Sequence, residues 1–159
     1  MSYEIERKFL VTETSFLEGR AGQECRQGYL PTAGAPSVRV RIIGEGAYLT
    51  LKGADSGLTR REFEYPIPLS DARDMLALLC QQPLIEKTRY AVEFAGTTWD
   101  VDRFHGANRG LCMAEVELES ETQAFETPPW IGAEVTGQPA YYNVNLAVHP
   151  FTQWPPPTP

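Results

Sequence analysis

Charged residues in this 159-residue chain recur in pairs two positions apart, and both signs are represented. Arg39/Arg41 and Lys87/Arg89 are paired cations, while Glu4/Glu6, Glu62/Glu64 and Glu115/Glu117 are paired carboxylates. Residues i and i+2 of a strand share one face, so each pair sets like charges about 7 Å apart at a rise of roughly 3.3 Å per residue. Arginine forks match phosphate oxygens bidentately, and lysines such as Lys8 and Lys52 add point charge. Paired carboxylates offer hard oxygen donors suited to Mg²⁺ or Mn²⁺, ions that bridge to phosphates rather than sit in all-protein cages. The chemistry written in these spacings is metal-assisted handling of a polyphosphate. No covalent nucleophile is evident. Cys25, Cys80 and Cys112 fall outside the charged blocks, and His105 and His149 lack a companion acid or nucleophile.

The elements that must position these residues follow from period-two alternation. Strands are expected over Tyr3–Val11, Gln23–Leu30, Ser37–Ile43, Ala47–Lys52, Leu58–Pro68, Leu84–Phe94, Thr97–Phe104 and Leu111–Ser120. In the third, Val38, Val40 and Ile42 alternate with Arg39 and Arg41; in the fifth, Phe63, Tyr65 and Ile67 alternate with Arg60, Glu62 and Glu64. Gly44-Glu45-Gly46, Gly53 to Gly57 and Ala95-Gly96 supply short connections, which imply antiparallel neighbours. One helix is expected from an N-cap at Ser70, with Asp71 in its first turn and Met75, Leu76, Leu79 and Cys80 on its apolar face before Pro83. A weaker helix is expected over Tyr141–Val148, closing one mouth or covering the C-terminal end. Eight strands suffice to close a barrel, which removes exposed edges. The fold class is mainly β (α+β), an eight-stranded antiparallel barrel tunnel with a charged interior and a few covering helices.

Length and composition fit one domain, 1–150, with a Pro-rich tail at 151–159 whose Trp154 to Pro159 stretch is expected to be extended and solvated. No apolar run approaches the roughly 20 residues that span a bilayer. With no apolar leader and three cysteines in no CxxC pair, a reduced cytoplasmic setting is the expectation. The net charge of −7 argues against nucleic acid and anionic membranes. The charged-face set of Lys8, Arg39, Arg41, Lys52, Lys87 and Arg89 against Glu4, Glu6, Glu62, Glu64, Glu115 and Glu117 sums to zero. The negative excess therefore belongs to the exterior, and a polyanionic ligand inside is not excluded.

Glu4-Ile5-Glu6-Arg7-Lys8 resembles the ExExK strand of the CYTH superfamily, the triphosphate tunnel metalloenzymes. Further blocks follow in that family's order: Gln27–Leu30, Val38–Arg41, Leu49–Lys52, Arg61–Tyr65, Ile85–Tyr90, Ala114–Leu118 and Trp130–Gly137, leading to Tyr141-Tyr142-Asn143. The resemblance spans roughly 3–147 and implies an eight-stranded tunnel lined by charge. It implies Glu4, Glu6, Glu64, Asp102, Glu115 and Glu117 as ligands of Mg²⁺ or Mn²⁺, and Lys8, Arg39, Arg41, Lys52, Lys87 and Arg89 as the substrate-binding cations. Glu4, Glu6, Lys8, Glu62 and Glu64 are the implied catalytic set; Asp100 and Glu119 share the inward parity. The substrate implied is a small triphosphate, first inorganic tripolyphosphate, then a nucleoside or thiamine triphosphate, with a homodimer left open.

Bland roles are expected elsewhere. Arg60 and Arg61 are adjacent, cannot both face inward, and are left out of the site. Arg7 and Glu86 lie on apolar faces as surface charges, Trp99 and Trp130 are core aromatics, Asp71 and Asp74 belong to the helix, and Tyr29 is either packing or site. A triphosphatase is the favoured function. A class IV-type adenylate cyclase would need an adenine pocket that the sequence does not reveal, and a non-catalytic polyphosphate-binding barrel would not need intact metal carboxylates.

Overall fold

The computed structural model describes residues 2–54 and 58–156. Nine strands form one antiparallel sheet: β1 (Ser2–Val11), β2 (Gln23–Leu30), β3 (Ser37–Ile43), β4 (Gly46–Lys52), β5 (Thr59–Pro66), β6 (Ile85–Phe94), β7 (Thr97–Phe104), β8 (Cys112–Glu117) and β9 (Ile131–Glu134). Their order is β5-β4-β3-β2-β6-β7-β8-β1-β9, and an additional β5–β1 pairing closes the first eight into the expected barrel. β9 is a strand that the alternation did not reveal, because four residues are too short to show a period. It continues the β5 edge of β1: β5 pairs with Ser2 to Ile5, and β9 takes over at Phe9 and Val11.

Local chemistry sets the register. Ala95 and Gly96 both have positive φ (49° and 78°), the conformation a two-residue hairpin needs, and they fix Arg89 opposite Asp102 across β6 and β7. Gly28 leaves room for the segment after α1 (Leu69–Leu78): a Cβ there would lie 2.7 Å from Leu84 and 2.8 Å from Cys80. α1 covers the outward faces of β3 and β4, with Ala72, Leu76 and Cys80 packed around Val40 and Ala47. Its N-cap is Pro68 rather than Ser70, which sits in the first turn and makes no capping bond. The helix stops at Leu78, so Leu79 is 56 % exposed instead of on the apolar face.

A second apolar layer covers β1, β7 and β8, where Phe9, Trp99, Val101 and Val116 meet Leu17 and Trp130 from the flanking loops. Phe16 stacks on Trp130, ring centroids 4.4 Å apart. A third cluster is of a different kind. Leu10, Tyr29, Ile85, Phe104 and Met113 carry the inward parity of five strands yet are apolar, and they fill one end of the barrel with Leu146, Ala147 and Val135. The expected 141–148 helix shrinks to a 3₁₀ turn (Pro139–Tyr141) and α2 (Asn143–Leu146), which lie across that end. Phe151–Gln153 forms another 3₁₀ turn. Trp154, where the solvated stretch is expected to begin, instead meets Tyr141 and Phe151 edge-on and donates Nε1–H to His149 O. Asp55 to Gly57 and Pro157 to Pro159 lie outside the described residues.

Candidate functional site

The inward parity of the strands delivers their charges to one cavity of about 750 Å³. Glu4, Glu6 and Lys8 come from β1, Arg39 and Arg41 from β3, Lys52 from β4, Glu62 and Glu64 from β5, Lys87 and Arg89 from β6, and Glu115 and Glu117 from β8. All twelve residues expected on the charged face line it, together with Asp100, Glu119 and Arg60. The lining thus has seven cations and eight carboxylates, leaving 7 cations and 13 acids elsewhere in the chain. Arg60 was missed because its adjacency to Arg61 masked the parity it shares with Glu62 and Glu64. Its guanidinium stands over the Tyr142 ring, 5.2 Å from the centroid.

Cations and carboxylates interleave within the cavity, as where Lys52 meets Glu4 and Lys8 meets Glu115, yet like charges also crowd one another. On one wall the register sets like against like: Glu6 faces Glu117 across β1 and β8, and Asp100 faces Glu115 across β7 and β8. Like charges directly opposite destabilise a sheet. Burial, then Glu115 and Glu4, push the Glu6 carboxyl well up, while Glu4 titrates at about 2. Burial opposes that fall, but a hydrogen bond from Glu6 and the Lys52 ammonium, 2.7 Å from Glu4 Oε2, prevail. Burial and neighbouring carboxylates also raise Glu62, Glu117 and Asp100. Glu115 is lowered despite its burial, because Lys8 and Arg89 approach to 3.4 and 3.7 Å.

The facing wall crowds cations. Burial, Arg39 and Arg89 together lower Arg41, and the Nε atoms of Arg39 and Arg41 are buried without a hydrogen-bond partner. Thr50, fully buried, accepts from Arg39 Nη2 at 3.2 Å and donates to Glu64 at 2.9 Å, so it orders both groups. An apolar side chain there would leave each short of a partner. Unpaired guanidinium donors on one side and self-repelling carboxylates on the other are each satisfied by a ligand of opposite charge. A polyanion suits the first, a divalent cation the second. Among the described residues no three carboxylates converge into a preformed cage. That is compatible with an ion that completes its shell with water and phosphate oxygens.

Asp102 is placed differently from the expectation. It does not line the cavity; it is buried beneath it, 2.8 Å from Lys87 Nζ and held bidentately by Arg89 Nε and Nη2 at 2.8 Å each. Both oxygens serve to fix two cations, and Asp100 is the β7 carboxylate that reaches the cavity. Cys25, outside the charged blocks, faces inward, 1 % exposed, opposite Lys87 across β2 and β6. Asn143 of α2 accepts from Lys87 Nζ at 3.1 Å and closes the lining at the apolar end. Arg7 pairs with Glu134 at 2.7 Å on the outer face, and Glu86 is exposed, both as expected. A side pocket of about 30 Å³ opens beside Glu4, Glu6 and Lys8 where β1 passes from β5 to β9.

The CYTH domain family model matches residues 2–148. The chain is 46 % identical over 151 residues to a protein of Acetivibrio thermocellus named inorganic triphosphatase, covering 95 % of this chain and 97 % of that protein. It is 39 % identical over 151 residues to an inorganic triphosphatase of Nitrosomonas europaea, covering 91 % and 97 % respectively. A crystal structure of an inorganic triphosphatase superposes with a TM-score of 0.66 at 37 % identity, covering 93 % of this chain and 96 % of that one.

Proposed function

The chain belongs to the CYTH domain family, and on that premise we propose that it is an enzyme that hydrolyses triphosphates, with inorganic tripolyphosphate as its substrate. The observation that carries this reading is one cavity holding both under-paired guanidinium groups, Arg39 and Arg41, and self-repelling carboxylates. Phosphoryl transfer needs chiefly positioning and charge stabilisation, which such a cavity supplies without a covalent nucleophile. In the mechanism we infer, Arg39, Arg41, Lys52, Lys87 and Arg89 hold the phosphate oxygens in line, and Lys8 reaches the phosphoryl group from the carboxylate side. Glu4, Glu6, Glu115 and Glu117 would hold a divalent cation, Mg²⁺ or Mn²⁺, which would supply charge neutralisation to the phosphate. Glu64 restrains Arg39 and Arg41 from 3.4 and 3.8 Å, and Glu4 restrains Lys52 from 2.7 Å, with Glu62 opposite that lysine in the register. A carboxylate of the acidic wall orients the attacking water. We assign Asp102 to positioning Lys87 and Arg89, not to the cation.

Among the described residues no helix is long and apolar enough to cross a membrane. Three buried free thiols favour the cytoplasm as the working compartment.

The test is a panel of tripolyphosphate, ATP, thiamine triphosphate and longer polyphosphate, each with Mg²⁺, Mn²⁺ or EDTA. Orthophosphate release from tripolyphosphate, lost in EDTA and small with ATP, is the expected result. Cyclic AMP and pyrophosphate formed from ATP would replace hydrolase by cyclase, and tight binding without turnover would leave a binding barrel.

A further inference from the structure

β2 contributes no charge to the cavity, but it carries a chain of polar side chains along its inward face. Cys25 Sγ donates to Gln27 Oε1 at 3.5 Å, and Gln27 Nε2 donates to the Tyr29 hydroxyl at 3.0 Å. Gln27 is fully buried, Cys25 is 1 % exposed and Tyr29 7 %. The Tyr29 ring belongs to the apolar end of the barrel, packed with Ile85, Phe104 and Met113. Its hydroxyl points back along the strand toward Gln27, and Tyr29 is part of the cavity lining. The ring is thus an anchor and the phenol oxygen the single polar atom it presents to the charged region.

Hydrogen-bond bookkeeping fixes where the phenol proton goes. A phenol has one donor and can also accept. Here the oxygen accepts from an amide that is itself held by the thiol behind it, so the O–H is free to donate and is turned away from Gln27. The open direction is the cavity, where Lys8 lies within electrostatic reach of Tyr29.

Resting on the triphosphatase reading above, we propose that Tyr29 is a further substrate-binding residue. Its O–H donates to a non-bridging phosphate oxygen at the closed end of the cavity, and Gln27 is the positioning residue that orients it. Every cation in the lining binds phosphate through charge alone or through a fork. Tyr29 adds a neutral donor of fixed direction, which marks where the last phosphoryl group ends. The oxygen it addresses carries its charge in the ground state and in a metaphosphate-like transition state alike. Its contribution is therefore uniform binding, visible in KM and not in kcat.

The experiment compares wild type, Tyr29→Phe, Gln27→Met and the double variant on tripolyphosphate with Mg²⁺. Tyr29→Phe keeps the packed ring, and we expect KM to rise about tenfold or more with kcat within twofold, the scale of a hydrogen bond to a charged group. Gln27→Met should raise KM by a smaller factor, and that factor should vanish in the Tyr29→Phe background. A KM within twofold of wild type for Tyr29→Phe overturns the assignment and leaves Tyr29 as packing. An equal penalty for Gln27→Met in both backgrounds overturns the positioning role. A wild-type enzyme inert toward tripolyphosphate fails the earlier functional reading instead, and is seen before any variant is made.

Discussion

Replacing Asp102 by Asn separates two roles that its sequence position leaves together. Asp102 is 2 % exposed and takes contacts of 2.8 Å from Lys87 Nζ, Arg89 Nε and Arg89 Nη2, while Lys87 is itself 2 % exposed. Burial opposes ionisation of this carboxyl, but Arg89 and then Lys87 hold it far below the ordinary carboxylate range. Asparagine keeps the shape and removes the charge, so a buried ammonium and a largely buried guanidinium lose their counter-ion. Breaking a buried pair from one side costs about 3–5 kcal/mol. For a chain of this size each kcal/mol lowers Tm by roughly 2–4 °C, so a fall of about 6–20 °C is expected. The assay is thermal unfolding in EDTA at neutral pH, followed by steady-state kinetics across a Mg²⁺ titration. KM should rise because two substrate cations are no longer held, whereas the Mg²⁺ concentration for half-maximal rate should stay within twofold. The pH dependence has a definite sign. A carboxyl whose folded-state pKa is depressed stabilises above its unfolded pKa and loses that contribution as pH falls toward the folded value. The gap between wild type and variant should therefore narrow below about pH 4. An unchanged Tm together with a tenfold higher Mg²⁺ concentration for half-maximal rate would refute the reasoning and return Asp102 to the cation ligands.

Glu117→Gln should lower kcat/KM by roughly 100-fold or more, equivalent to about 2.7 kcal/mol, without lowering Tm. Burial and the charges of Glu4 and Asp100 already disfavour its ionised form; a clear loss of Tm would show Glu117 to be structural. In EDTA the protein should become more stable as pH falls from 8 toward 5, because Glu6, Glu62, Glu117 and Asp100 bind protons more readily folded than unfolded. Below about pH 4 the sign reverses as Glu4, Glu115 and Asp102, all depressed, take up protons. Saturating Mg²⁺ should flatten the upper limb, and a Tm that climbs from pH 5 to 8 in EDTA contradicts the self-repelling wall. Leu76→Ala, at a position 1 % exposed between α1 and the β3–β4 face, should cost about 2–5 kcal/mol in chemical denaturation. A cost under 1 kcal/mol would mean that α1 does not buttress the strands carrying Arg39, Arg41 and Lys52.

Strand parity is a local property, and it is where the amino-acid sequence spoke most clearly. Twelve charged residues could be assigned to one face from their spacing alone, because side chains alternate whatever the strand is paired with. The same rule contained Arg60 and Asp100, which line the cavity although one was set aside and the other held in reserve. It also contained the apolar tenants of that face, Leu10, Tyr29, Ile85, Phe104 and Met113, which close one end of the barrel.

Register is not local, and it decided the rest. Only pairing across strands could show that Glu6 confronts Glu117 and Asp100 confronts Glu115, setting carboxylates directly against one another. Asp100 and Asp102 have identical parity and type. The difference is that the Ala95-Gly96 hairpin sets Asp102 opposite Arg89, where two cations occupy both of its oxygens. Nor could alternation reveal β9, since a four-residue strand carries no period and is held by contacts more than a hundred residues away. The sequence by itself determined which side chains face inward. The tertiary structure alone decided which of them meet, because barrel closure and register arise between strands distant in the chain.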